Sequence, residues 1–218
     1  MTERGMIFNA EMVRAILDGR KTQTRRIMKP QPEVCPRGGH WWSSNVFKTM
    51  LHVEEEIQNG KGGWGGLAGD ACPFGTIGDH IWVREAFRVM GCATDVARLM
   101  YKASERNSFT ESTRTVPVAS CTKQPSQKWT PSIHMPRWAS RITLEITDVR
   151  VERLNSISDE DARAEGCAGG HDSIPDYHYS ATPHEHFRHV WTSIYGEEGW
   201  SSAWVWVIEF KRVDGGAA

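Results

Sequence analysis

The last stretch of this chain constrains its fold most. Between Ala203 and Val213, Trp204, Trp206, Ile208 and Phe210 alternate with Val205 and Val207, so a strand here carries apolar side chains on both faces. Such a strand has to lie inside a sheet, covered on each side. Arg141 to Arg153 predicts a second strand, with Ile142, Leu144 and Ile146 inward and Arg141, Thr143, Glu145 and Thr147 outward. A third follows the turn signal Gly78-Asp79. In His80 to Phe87, one face holds Ile81, Val83, Glu85 and Phe87 and the other His80, Trp82 and Arg84.

Short helices are expected between the strands. After a strand at Gly5 to Phe8, Asn9 is placed to cap a helix with Met12, Val13, Ile16 and Leu17 on one stripe, and Gly19 to end it. Thr22 to Ile27 then continues as a strand or extended loop. Ser158 and Asp161 open a helix that Gly166 closes, and Thr182 to Tyr195 predicts another, with Pro183 in its first turn and Phe187, Val190, Trp191 and Ile194 at helical spacing. Residues 29–77 and 103–133 lack clear periodicity and read as two long loop insertions, the first with at most a short helix near Met50 to Gln58. The pattern predicts an α+β fold, a small mixed barrel with helices packed outside it. One domain over 1–213 suffices for 218 residues, with 214–218 as a disordered tail.

Lys plus Arg total 26 against 27 for Asp plus Glu, so there is no global basic footprint. The distribution is uneven. Arg20 to Lys29 holds five basic residues and no acid, whereas Leu154 to Trp200 holds nine acids and two arginines. The five cysteines are widely spaced, without a Cys-x-x-Cys pair or a leader ahead of them, which predicts free thiols in the cytoplasm. No run approaches the roughly 18 apolar residues of a membrane span, so no membrane partner is expected.

Gly19-Arg20-Lys21-Thr22-Gln23-Thr24-Arg25-Arg26 concentrates reactive side chains. Lys21 and Thr24 can act on a carbonyl or phosphate while Arg25 and Arg26 hold an anion; the alternative is a solvated basic turn after a helix. Glu165, at a helix C-terminus where the dipole raises a carboxylate, is either a general base or a solvated glutamate. Arg84 and Glu85 form either an internal ion pair or part of a site, and His134 a rim histidine or a ligand contact. His184, His186 and His189 do not have the spacing of a zinc site, so no metal and no cofactor is expected. Trp41, Trp42 and Trp64 either clamp the first insertion down or offer stacking platforms.

The order of these motifs resembles the ASCH family, a branch of the PUA-like fold. The likeness rests on Ile16 to Arg26 with its Gly-x-Lys-x-x-x-x-Arg core, Gly78-Asp79 and its strand, the strand Ile142 to Val149, Ala164-Glu165-Gly166, and Trp206 to Phe210. Gly78 to Glu85 and His134 to Arg141 are similar to members carried by phages and prophages. The resemblance implies a PUA-like barrel that binds RNA, a nucleotide or a modified nucleoside in a cleft around Lys21. Trp82, Arg84, Glu85, His134, Arg137 and Arg141 join Arg25 and Arg26 there as binding residues, the arginines making the cleft cationic. Bacterial N4-acetylcytidine amidohydrolases of the family use a Lys, a Thr and a Glu that fall on Lys21, Thr24 and Glu165. This implies amide hydrolysis as an alternative to binding alone. A metal-independent ribonuclease or a phage host-interaction protein is a further alternative.

Overall fold

A computed structural model of the chain describes residues 1–58 and 67–213, so Trp64, most of the glycine run 60–69 and the tail 214–218 lie outside the described residues. In chain order the elements are β1 (Glu3–Ile7), α1 (Ala10–Leu17), β2 (Gln23–Ile27), β3 (Glu33–Val34), β4 (His40–Ser44), β5 (Thr49–His52), α2 (Ala68–Ala71), β6 (His80–Arg84), β7 (Phe87–Cys92), β8 (Val96–Tyr101), α3 (Phe109–Ser112), β9 (Thr113–Pro117), β10 (Thr143–Arg153), α4 (Asp159–Ala164), α5 (Pro183–Tyr195) and β11 (Trp204–Val213). The architecture is mixed α+β, with several sheets and few, short helices. Among the described residues no helix is long and apolar enough to cross a membrane. The chain divides into two compact units.

The first unit gathers Met1–Gly19, His80–Glu145 and residues 212–213. In it β1 runs parallel to β6, from Glu3 opposite His80 to Ile7 opposite Arg84, and the first residues of β10 pair antiparallel with β6. Gly5 is required where it faces Trp82, because a Cβ there would fall 2.5 Å from the indole ring. Asn9 caps α1 by accepting from the Met12 amide at 2.8 Å, and Gly19 leaves the helix at φ 74°. The antiparallel meander β7-β8-β9 packs Phe87, Val89, Leu99, Tyr101 and Val116 against Met135 and Ala139. β9 corrects the expectation of a loop throughout 103–133. Val116 is its one buried residue, so an edge strand of Thr, Arg and Pro carries almost no alternation to read.

The second unit comprises Arg20–Asp79 and Ile146–Lys211. Here β11 lies between β10 and β2, and pairs antiparallel with β2 without a register break, from Val205 opposite Ile27 to Glu209 opposite Gln23. Val205, Trp206, Val207 and Ile208 are wholly buried, as a strand apolar on both faces requires. On one face, Val205 and Val207 pack with Leu154, Ile157, Ala162, Cys167, Phe187 and Trp191. Ser158 caps α4 and a full capping box, Thr182 with Glu185, starts α5. Ile194 departs from its expected inward stripe and is exposed at the end of α5.

Residues 29–77 are also more structured than a loop insertion. Glu33–Val34, His40–Ser44 and Thr49–His52 form the antiparallel sheet β3-β4-β5, and the turn near Met50 to Gln58 is a π-helical one over Val53–Ile57. Ser44 is buried while Met50 is exposed, so polarity does not report the buried face of this sheet. Trp42 clamps it down: its ring meets Trp206 edge-on at 5.3 Å, and its Nε1 donates to the Pro30 carbonyl at 3.1 Å.

Candidate functional site

Gly19 ends α1, and the chain turns directly onto α4. The Thr22 amide donates to the Ala164 carbonyl at 2.8 Å, and Lys21 and Glu165 form an isolated antiparallel bridge. Their side chains meet as well. Lys21 Nζ donates to Glu165 Oε2 at 2.6 Å and to the Glu165 carbonyl at 2.9 Å. Arg25 Nη1 donates to the other carboxylate oxygen at 3.3 Å. The Lys21 and Arg25 side chains are fully buried and that of Glu165 nearly so. This corrects both bland expectations, a solvated turn at Lys21 and a solvated glutamate at Glu165.

The alternation of β2 explains which residues join them. Gln23 and Arg25 share the face toward α4: Gln23 Nε2 donates to Asp161 Oδ1 and to its carbonyl, both at 3.0 Å. Arg25 Nη2 reaches Glu152 at 2.9 Å and Asp161 at 3.4 Å. Arg150, on β10, extends the cluster outward to Glu152 at 2.6 Å, Asp161 at 3.2 Å and Glu209. Three cations, Lys21, Arg25 and Arg150, therefore meet five carboxylates: Glu165, Glu152, Asp161, Glu209 and Asp148, the last 3.6 Å from Arg150. Thr24 does not join this group, since its place on β2, opposite Ile208, turns it to the other face with Arg26.

Burial pushes the Lys21 ammonium below its ordinary lysine value, and Glu165 opposes that shift without cancelling it. For Asp161 burial acts upward, but hydrogen bonds from Gln23 and Ser158 and the charges of Arg25 and Arg150 hold it below the ordinary aspartate value. A lysine eased toward neutrality against a buried carboxylate can pass a proton to its partner or to a third group.

Trp82, Arg84, Glu85, His134, Arg137 and Arg141 belong to the first unit and form a different constellation. Glu85, just past the end of β6, does not pair with Arg84. Its partner is Arg141, which donates to both oxygens at 2.8 and 3.0 Å, to Ser104 Oγ at 2.9 Å, and lies 4.1 Å from the Tyr101 ring. Burial raises Glu85 above the ordinary glutamate value, against the pull of Arg141. Arg84 donates to the Ile133 carbonyl and lies over Trp82 at 5.4 Å. Arg137 is held by Glu3 at 2.9 Å, and His134 is exposed. Arg25 in the second unit, and Arg137 and Arg141 in the first, are thus each engaged by carboxylates.

Sequence reasoning missed Arg150, Glu152 and Glu209, and gave Asp161 only a capping role. The alternation of Asp148, Arg150 and Glu152 along β10 was the available signal, but it is also the signature of a solvated strand face. A second missed cluster joins β4 to the turn after β5: His40 Nδ1 meets Glu54 Oε1 at 2.6 Å, and Arg153 Nη2 meets His40 Nε2 at 2.9 Å. Among the described residues no group of three or more His, Cys, Asp or Glu is placed to hold a metal ion. Comparison with family models, with curated proteins and with solved structures found no match.

Proposed function

We propose that this protein is a PUA-like hydrolase of the ASCH kind that binds a modified nucleoside and cleaves an amide on its base, an N4-acylated cytidine being the substrate class. The 2.6 Å contact between the buried Lys21 ammonium and the Glu165 carboxylate carries this reading. In the reaction Glu165 takes a proton from water as it attacks the acyl carbonyl, and Lys21 stabilises the developing oxyanion and protonates the departing amine. Water takes the role of nucleophile because alternation along β2 turns Thr24 away from the pair. Engagement of Arg25 by Glu165, Glu152 and Asp161 favours an uncharged nucleoside over the phosphates of a polynucleotide.

The test is incubation with N4-acetylcytidine, with cytidine release followed by chromatography. Turnover is expected to vanish in Lys21→Ala and Glu165→Gln and to persist in Thr24→Val. Absence of release by the folded wild-type protein sinks the hydrolase. Loss of turnover in Thr24→Val alone among folded variants instead restores the hydroxyl as nucleophile.

Complete burial of the Lys21 side chain favours a second reading, in which the pair is an internal clamp between β2 and α4 and the protein only binds its ligand. Under that reading Lys21→Met combined with Glu165→Leu keeps nucleoside affinity, measured by calorimetry, whereas the hydrolase loses all turnover.

A further inference from the structure

Cys92 and Cys121 lie outside the cluster around Lys21, and the first unit brings them together from 29 residues apart in the chain. Cys92 ends β7 and pairs with Ala97, and the Ala93 amide closes the hairpin onto Val96 at 2.8 Å. β9 returns beside β8 with Pro117 opposite Val96, and the Val118 amide donates to Asp95 in the same hairpin at 2.8 Å. The chain then turns at Cys121 and runs back along the free edge of β7: the Ser126 amide donates to Val89 at 2.9 Å, and Thr130 bridges Phe87. This antiparallel return sets Cys121 at the end of β7 that Cys92 occupies. Desolvation first, and then the neighbouring Cys121 side chain, push the Cys92 thiol up, while Cys121 packs against the core of Phe87, Val89, Ala97 and Val116 and its Sγ donates to the Lys123 carbonyl at 3.3 Å. Cys92 is exposed and Cys121 half-buried, while Cys35, Cys72 and Cys167 are each buried.

We infer that Cys92 and Cys121 form a reversible disulfide that staples the return segment 121–130 to the edge of β7, and that a small disulfide such as oxidised glutathione is the oxidant. The exposed Cys92 thiolate attacks one glutathione sulfur, forming a mixed disulfide and expelling one glutathione thiolate. The Cys121 thiol then loses its proton to solvent and attacks the Cys92 sulfur, expelling the second. Two protein thiols are oxidised and one glutathione disulfide is reduced to two thiols, so electrons balance. The staple closes β8, α3 and β9 into one covalent loop, which restricts the unfolded chain.

Full-length protein is treated with glutathione disulfide, its remaining thiols are alkylated, and intact mass and peptide maps are recorded. The expected product is a monomer lacking two hydrogens, with a single cross-linked peptide pair containing Cys92 and Cys121 and a thermal midpoint above that of the reduced protein. Cys92→Ser and Cys121→Ser, both read for unchanged circular dichroism, are each expected to abolish the cross-link and leave a glutathione adduct on the remaining thiol. Stable glutathione adducts on wild-type Cys92 without the cross-link would overturn the staple. So would a disulfide between two chains, or one that involves Cys35, Cys72 or Cys167.

Discussion

At Glu165, Lys21 holds one carboxylate oxygen at 2.6 Å and Arg25 approaches the other at 3.3 Å, with the lysine and arginine side chains shut off from water. Replacing the glutamate by glutamine keeps the shape and removes the charge, so two buried cations lose their shared counter-charge. Breaking a buried pair in this way destabilises a protein by about 3–5 kcal/mol. Glu165→Gln is therefore expected to lower the urea midpoint by a matching amount. Lys21→Met with Glu165→Leu, which removes both charges, recovers much of the loss because burying an ion pair is itself costly. A single-variant loss no larger than that of a surface substitution would mean that water reaches the pair. Lys21 and Glu165 stand out in the sequence because each borders a helix terminus marked by a glycine, Gly19 and Gly166. Arg150, Glu152 and Glu209 do not, because an inward-facing salt-bridge layer on a strand has the same polarity as an outward-facing one.

Among the elements, α5 shows how local chemistry fixes a boundary. Thr182 accepts from the Glu185 amide at 3.1 Å, and Glu185 accepts from the Thr182 amide at 2.7 Å, so each satisfies a donor that the helix leaves unpaired. Thr182→Ala removes half of this box and is expected to destabilise the protein by about 1 kcal/mol, read as a lowered thermal midpoint with little change in far-ultraviolet circular dichroism. An unchanged midpoint would mean that packing of Phe187 and Trp191 alone holds the start of the helix. Elements with such caps, or with a periodic apolar face, are legible in the sequence: α1, α4, α5, β6, β10 and β11. The sheet β3-β4-β5 is not legible, because its inward positions include Ser44 and its outward ones Met50. β9 fails for a related reason, as one valine anchors a strand otherwise held by backbone pairing to β8.

Across the whole molecule the formal charge nearly cancels, and several described carboxylates depart from their ordinary values through burial and the cations beside them. The acid response of stability follows from them. Hydrogen bonding to Arg137 holds Glu3 below the ordinary glutamate value of 4.5. Burial pushes Glu54 up, but its hydrogen bonds with His40 more than offset that, and Asp161 is likewise held below 3.8 despite burial. For these three the unfolded chain binds protons at higher pH than the folded one, so their stabilisation is complete above the ordinary value and is lost as pH falls through the folded value. Glu85 has the opposite sign: burial raises it, so its contribution is complete below 4.5 and is lost as pH rises through its folded value. As pH falls from about 7, the urea midpoint is therefore expected to rise as Glu85 takes up its proton, and then to fall once pH drops below 4.5 and the three depressed carboxylates protonate. Glu85→Gln, which keeps a hydrogen-bonding group beside Arg141 but cannot titrate, should abolish the rise and leave the fall. If wild type and variant decline together from neutral pH, the burial of Glu85 does not govern its proton affinity, and Arg141 outweighs it.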